Sequence, residues 1–426
     1  MAEFLFPERF LWGASTSAHQ VEGNNVHSDW WAWEQAGRVN TKSGLACDHY
    51  RRFPQDFALA QSLGHNAHRF SIEWSRVEPE ENRWDDQAIA HYVEVVRALR
   101  ARGLEPVVTL HHFTTPQWLV AKGGWTSPKS VVHFARYARR IADALKDVRY
   151  WVTINEPMVY IRMHYVQGLG PPGERNLSEA LKAVEHMIHA HAAGYHILHA
   201  HRGADDPAPL VSIAHNIPSF RPCHWWSPLD RWVMWLTNRI FSEGWIGALT
   251  TGRWSVPGIG KWRYKGAENT LDYVGINYYG RQFIHWVPPP GVWPGDGCDL
   301  GHHSREVKER TSMGWDVCPQ SFFEVLMKLR SLNLPVLVTE NGTYMEEDSR
   351  RWNYIQRHIQ AMARAMQQGV NVVGYCYWSL LDNFEWADGY GPRFGIVNVD
   401  YATQTRTPRE SAHRYAEICR SNRIAL

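Results

Sequence analysis

Two short stretches of this chain end on a glutamate at the point where a strand should turn into a loop. "WVTINEP" runs from Trp151 to Pro157 and delivers Glu156 beside Asn155. "VLVTENG" runs from Val336 to Gly342 and delivers Glu340 beside Asn341. Each opens as an apolar, β-branched run suited to a core and closes on a turn signal. Neither glutamate has a basic neighbour at the spacing of a helix-surface ion pair. One glutamate at a strand end is usually structural. Two such ends, each with an adjacent polar group, suggest carboxyls that face one cavity, as glycoside hydrolysis requires: one protonated to expel the leaving oxygen, the other ionised to attack or to activate water. A separation of about 5–5.5 Å retains the anomeric configuration, and one of about 6.5–9.5 Å inverts it.

Other strand ends supply groups that grip hydroxyls. Gln20 follows the first strand in "GASTSAHQVEG"; His111 and His112 close the third in "TLHHFTTP". Asn277 and Tyr279 sit in "GINYYG", and Trp378, Glu385 and Trp386 in "CYWSLLDNFEW". Amides, carboxylates and flat rings converging on one pocket suit a neutral, polyhydroxylated small molecule. The 22 Trp and 18 Tyr of the chain leave enough rings to fill the core as well.

The elements that must position these groups alternate from end to end. Strands are expected at Phe10–Ser15, Ala67–Ile72, Glu105–Leu110, Trp151–Asn155, Leu210–His215, Tyr273–Tyr279, Pro335–Glu340 and Val372–Trp378, with amphipathic helical segments between them. One such segment opens at Ser127-Pro128, an expected N-cap and first turn; another stops at Gly369. Eight strand–helix units predict an α/β fold of one closed (β/α)8 barrel, a TIM barrel with elongated loops on its C-terminal face, as a single domain over residues 1–426. No GxGxxG follows a strand, so the dinucleotide-binding fold lacks its fingerprint. The longest irregular stretch, about 282–319, follows the sixth strand and is expected to wall the site.

A net charge of +2 gives no case for nucleic acid or an anionic membrane surface as a partner, and no run of 18 apolar residues predicts a membrane helix. No signal-peptide pattern opens the chain, so a cytoplasmic protein is expected. The six cysteines, none at CxxC spacing, are expected as free thiols, with Cys298–Cys318 the pairing that one shared loop would allow. His186, His189, His191, His196, His199 and His201 crowd one helix, but no HExxH or finger spacing accompanies them. No metal and no cofactor are expected.

These strand ends, in order, resemble those of family 1 glycoside hydrolases, the retaining β-glucosidase family, from Phe10 to about Tyr415. "FLWGASTSAHQVEG" is similar to that family's N-terminal signature, "TINEP" to its acid/base motif, "VTENG" to its nucleophile motif and "WSLLDNFEW" to its sugar-binding segment. The resemblance implies Glu340 as nucleophile and Glu156 as acid/base. It places Gln20, His112, Asn155, Trp378, Glu385 and Trp386 around the terminal sugar, Asn277 and Tyr279 around Glu340, and Arg69 as its ion-pair partner. It implies a β-glucosidase acting on terminal β-glucosyl residues, with galactosyl and fucosyl as further candidates, through a covalent glycosyl-enzyme that also permits transglycosylation. Glu156 stands where thioglucoside-cleaving relatives carry Gln, and Glu385 where 6-phosphosugar enzymes lack a glutamate. Phe113 departs from the family, in which many members have Trp, and leaves the choice among sugars open. A non-catalytic glycan-binding protein is the alternative; such proteins usually lose a catalytic glutamate, and both are present here.

Overall fold

The computed structural model describes residues 3–201, 208–258, 260–288 and 295–426. Eight parallel strands close into a barrel: β1 (Leu11–Ser15), β2 (Ala67–Ser71), β3 (Glu105–His111), β4 (Tyr150–Asn155), β5 (Leu210–Asn216), β6 (Val274–Tyr278), β7 (Val336–Asn341) and β8 (Val372–Trp378). Each expected strand lies within one residue of its observed bounds. Closure comes from β8 pairing with β1, as Trp378 meets Ser15, while β5 and β6 meet through Ala214 and Gly275. Parallel strands covered by helices bury both faces, which is why they read as near-continuous apolar runs.

The floor of the barrel is a dry cluster of Val107, Val152, Ala214 and Leu337 from β3, β4, β5 and β7, plugged by Tyr273. The Tyr273 hydroxyl donates to the Trp151 carbonyl at 3.0 Å, so even the plug satisfies its polar atom. With the lower end filled, polar side chains have room to converge only at the C-terminal end.

The helix Lys129–Ala144 begins one turn-residue later than Ser127 suggests. Pro128 occupies the cap position without a side-chain bond, and the Ser127 carbonyl accepts from Ser130 instead. The helix Asp348–Gln367 stops as expected: Gly369 has φ +89°, a backbone setting that glycine adopts without steric cost. Gly342 is required for a different reason. A Cβ there would stand 1.8 Å from the Trp378 carbonyl oxygen, so only glycine lets the end of β7 pass the end of β8.

The segments after β5 and β6 build a small rim sheet that the sequence pattern did not announce. Ser219–Pro222 and Gly295–Gly297 flank the strand Arg281–Trp286. Two of its strands fall in the first half of the stretch expected to be irregular; residues 289–294 of that stretch lie outside the described residues.

The cysteine expectation is corrected. Cys223 and Cys298 are paired, while Cys47, Cys318, Cys376 and Cys419 are free. The rim sheet brings the two together: the Cys223 amide donates to the Ile284 carbonyl and the Cys298 amide to that of Phe283. The histidines of the helix Leu177–Ala200 and its end diverge. His186 meets the Trp125 carbonyl, His191 meets Thr153 and Thr270, His196 the Gly266 carbonyl and His199 the Asp272 carboxylate.

Candidate active site

The strand ends of the barrel surround a cavity of about 810 Å³, a size suited to a ligand larger than one sugar ring. Gln20, His112, Asn155, Glu156, Tyr279, Glu340, Trp378, Glu385 and Trp386 all line it. Asn277 and Arg69 stand behind this lining, buried, and act through the side chains in front of them. His111 turns away, as alternation along a strand demands; its ring is reached by the Trp125 indole N–H at 3.3 Å.

Irregular ladders aim the carboxyls. The β4–β5 register shifts between Val152 and Asn155, β6–β7 between Ile276 and Asn277, and β7–β8 between Val338 and Asn341. Such bulges end regular pairing and redirect side chains. Glu156 itself sits at φ +43° and ψ +56°, a left-handed setting that costs a non-glycine residue roughly 1–3 kcal/mol. Its amide is held by the Ala214 carbonyl at 2.6 Å, and Pro157 begins the next helix.

The two carboxyls have unequal surroundings. Glu340 Oε1 accepts from Arg69 Nη1 at 2.5 Å and Oε2 from the Tyr279 hydroxyl at 2.5 Å. Burial raises its carboxyl above the ordinary range, while the Arg69 guanidinium and the Tyr279 hydroxyl pull it back. No cation bonds Glu156 among the described residues, and the Arg69 charge is only a minor pull on it. Asn216 Nδ2 donates to its Oε1 at 3.0 Å and Asn277 Nδ2 at 2.9 Å. Burial, then the charge of Glu340, push its carboxyl up to about 7. The surroundings thus favour the charged form at Glu340 and the protonated form at Glu156.

Asn277 stands between the two carboxyls: its amide donates to Glu156 at 2.9 Å and to Asn155 at 3.2 Å and also helps hold the Glu340 carboxyl down, while its carbonyl oxygen accepts from Thr339 at 2.6 Å. Asn155 is locked in turn. Its Oδ1 accepts from Arg69 Nη2 at 2.6 Å, which leaves its Nδ2 facing His112 Nε2 at 3.2 Å. Burial and the Arg69 charge keep His112 neutral, well below the ordinary imidazole range.

A third carboxyl guards the rim. Glu385 is pushed up to about 8 by burial and by the charges of Glu340, Asp388 and Glu156. Gln20 Nε2 reaches it at 3.2 Å, and the Gln20 carbonyl accepts from Ser17 at 2.6 Å. Trp386 lies nearly parallel to both His19 and His112, at interplanar angles of 6° and 14°. His19 is fixed by the buried Glu34 at 2.8 Å. Phe113 packs on Trp386 with ring centroids 5.2 Å apart and lines the cavity.

Sequence reasoning missed Asn216 and the His19–Glu34 support. Asn216 is the last residue of β5, so the rule that nominated the other strand ends would have found it. His19 and Glu34 lie on two short helices, and nothing in their spacing marks a pair.

Residues 2–424 match the model of Glycosyl hydrolase family 1. Beta-glucosidase A of Thermotoga maritima is 31% identical over 451 residues, covering 98% of each chain. A Beta-galactosidase of Pyrococcus woesei is 30% identical over 99% of this chain and 98% of its own. The solved beta-glycosidase from Pyrococcus horikoshii superposes with a TM-score of 0.92 and 37% identity, covering 100% of this chain and 97% of that one.

Proposed function

We propose, from the premise that this chain belongs to glycosyl hydrolase family 1, that Glu340 and Glu156 carry out a two-step, retaining hydrolysis of β-glucosides. The chain is a glycosidase of that family with β-glucosidase relatives, and the proposal concerns which residues act and on what. Ionised Glu340 attacks the anomeric carbon as the bond to the leaving oxygen breaks, and Glu156 gives its proton to that oxygen. Glu156 then takes a proton from water, which attacks the same carbon and frees Glu340. A sugar hydroxyl in place of that water gives transglycosylation.

The observation that carries this reading is the unequal pair itself: one carboxylate held by a guanidinium and a phenol, the other held only by amides. Once Glu340 is esterified its charge no longer raises Glu156, whose carboxyl falls toward the range of a base. Asn155, fixed by Arg69, is set to meet the 2-hydroxyl, where contact strengthens as oxocarbenium character develops. Glu385 and Gln20 suit a free, non-phosphorylated hydroxyl edge, and Trp378 and Trp386 the ring faces. Short β-linked glucosides such as cellobiose fit the cavity's size.

The cytoplasmic reading rests on four free cysteines, three of them buried, which fit a reducing compartment. The Cys223–Cys298 pairing stands against it.

Proton NMR of fresh p-nitrophenyl β-glucoside turnover tests the mechanism. β-Glucose is expected as the first-formed anomer, and α-glucose appearing first would overturn the retaining assignment. A panel of β-glucosides, galactosides, fucosides and mannosides then ranks the sugars.

A further inference from the structure

The rim sheet carries a group of side chains that hydrolysis does not use. Cys223 follows the strand Ser219–Pro222, and Cys298 follows the strand Gly295–Gly297. Their amides bond consecutive carbonyls of the strand between them, at 2.8 Å to Ile284 and 2.7 Å to Phe283. The backbone therefore delivers both sulfurs to one point. The turn Leu300–His303, capped by the Asp299 carboxylate on the Gly301 amide at 2.7 Å, brings the His303 imidazole to the same point and the His302 imidazole beside Cys298.

His303 is 6% exposed, and its ring stacks on Phe283 with centroids 3.8 Å apart and planes at 12°. Its Nε2 lies 3.4 Å from Cys223 Sγ and 3.3 Å from Cys298 Sγ. His302 Nδ1 lies 3.6 Å from Cys298 Sγ. Zinc bonded at about 2.3 Å to sulfur and about 2.0–2.1 Å to nitrogen, in a tetrahedron, separates its N and S ligands by about 3.5 Å. The nitrogen–sulfur spacings of His303 already match, with its imidazole buried and positioned by a ring beneath it; the two sulfurs, bonded here, part to about 3.8 Å once reduced, and His302 turns in beside Cys298.

We propose that the reduced chain binds a divalent zinc ion through Cys223, Cys298 and His303, with His302 as the fourth ligand. Two-electron reduction of the pairing by a dithiol gives two thiols; zinc then displaces both thiol protons to bind two thiolates. Two sulfurs and two nitrogens in a closed, four-coordinate set make a structural site, with no position left open for substrate. Cys298, Asp299 and Leu300 also line the cavity wall, so the ion fixes that wall to the end of the strand Ser219–Pro222.

Cobalt(II) is the probe, titrated anaerobically into full-length protein reduced with dithiothreitol and then freed of it. A thiolate-to-cobalt charge-transfer band and intense tetrahedral ligand-field bands are expected, saturating at one equivalent and bleached by zinc. Cys223→Ser/Cys298→Ser should abolish the charge-transfer band, and His303→Ala should weaken binding at least ~10-fold. Absence of the band in the reduced wild type, or undiminished binding by His303→Ala, would overturn the proposal. A result confined to the histidine-rich helix would give no thiolate band and counts against it. Should the serine variants fail to fold, alkylation of the wild type decides. Zinc should protect Cys223 and Cys298, but not Cys318, from iodoacetamide, and equal modification with and without zinc would refute the site.

Discussion

Arg69 of β2 reaches across the barrel and donates one guanidinium nitrogen to Glu340 of β7 at 2.5 Å and the other to Asn155 of β4 at 2.6 Å. One buried cation thus ties the proposed nucleophile to the amide beside the proposed acid/base. It favours the ionised form of Glu340 and sets which face of the Asn155 amide meets the cavity.

Arg69→Met should therefore disturb more than charge. Loss of one partner from a buried pair typically costs about 3–5 kcal/mol of stability, because the other charge stays buried without compensation. The arginine lowers the Glu340 carboxyl, so its removal raises that carboxyl further. The acid limb of the kcat/KM profile should move to higher pH. Urea unfolding and a pH series on the same variant check both effects; an unmoved acid limb would show that Arg69 is structural only.

Glu156 predicts how stability and activity change with pH. Its carboxyl is raised from 4.5 to about 7 in the folded chain. The unfolded chain releases this proton first, so the fold loses stability as pH rises from about 4.5 to about 7, and the loss is complete above that. Glu156→Gln should match wild-type stability at pH 4 and exceed it by ~3 kcal/mol at pH 8. Wild-type kcat/KM should fall on the alkaline side near pH 7, as the general acid ionises. Calorimetry at the two pH values and a pH–rate series test the pair of outcomes.

Glu385 should distinguish substrates by their hydroxyls. A hydrogen bond to a carboxyl that stays protonated below about pH 8 contributes about 0.5–1.5 kcal/mol, or roughly 2–13-fold in kcat/KM. Wild type should prefer a β-glucoside to its 6-deoxy or 4-deoxy analogue by about that factor. In Glu385→Ala the preference for one of the two hydroxyls should collapse toward unity, identifying the one that Glu385 holds. Ratios preserved for both analogues would move Glu385 out of the sugar contact.

The barrel was legible because its signals are local. Runs such as Val336–Val338 are apolar on both faces, and turn residues close them, so strand bounds fell within one residue. The strand ends then marked the cavity. Partnerships across the barrel were less legible: Asn277 neighbours Glu340 in register, where the ladder shifts between Ile276 and Asn277, yet its amide also donates to Glu156 on β4's end. The rim sheet was least legible. Its three strands are short and its central strand is half exposed, so no periodicity marks it; the Cys223–Cys298 pairing spans 75 residues and depends on that sheet alone.

The central claim is that Glu340 forms the bond to sugar and Glu156 moves the proton. It is tested most directly by Glu340→Gly assayed with a β-glucoside bearing a good leaving group, in the presence of azide. Turnover without azide should be lost, and azide should restore it with α-glucosyl azide as product, since the small anion enters the space of the missing carboxylate. Recovery of β-glucosyl azide would contradict the account and exchange the roles of the two glutamates.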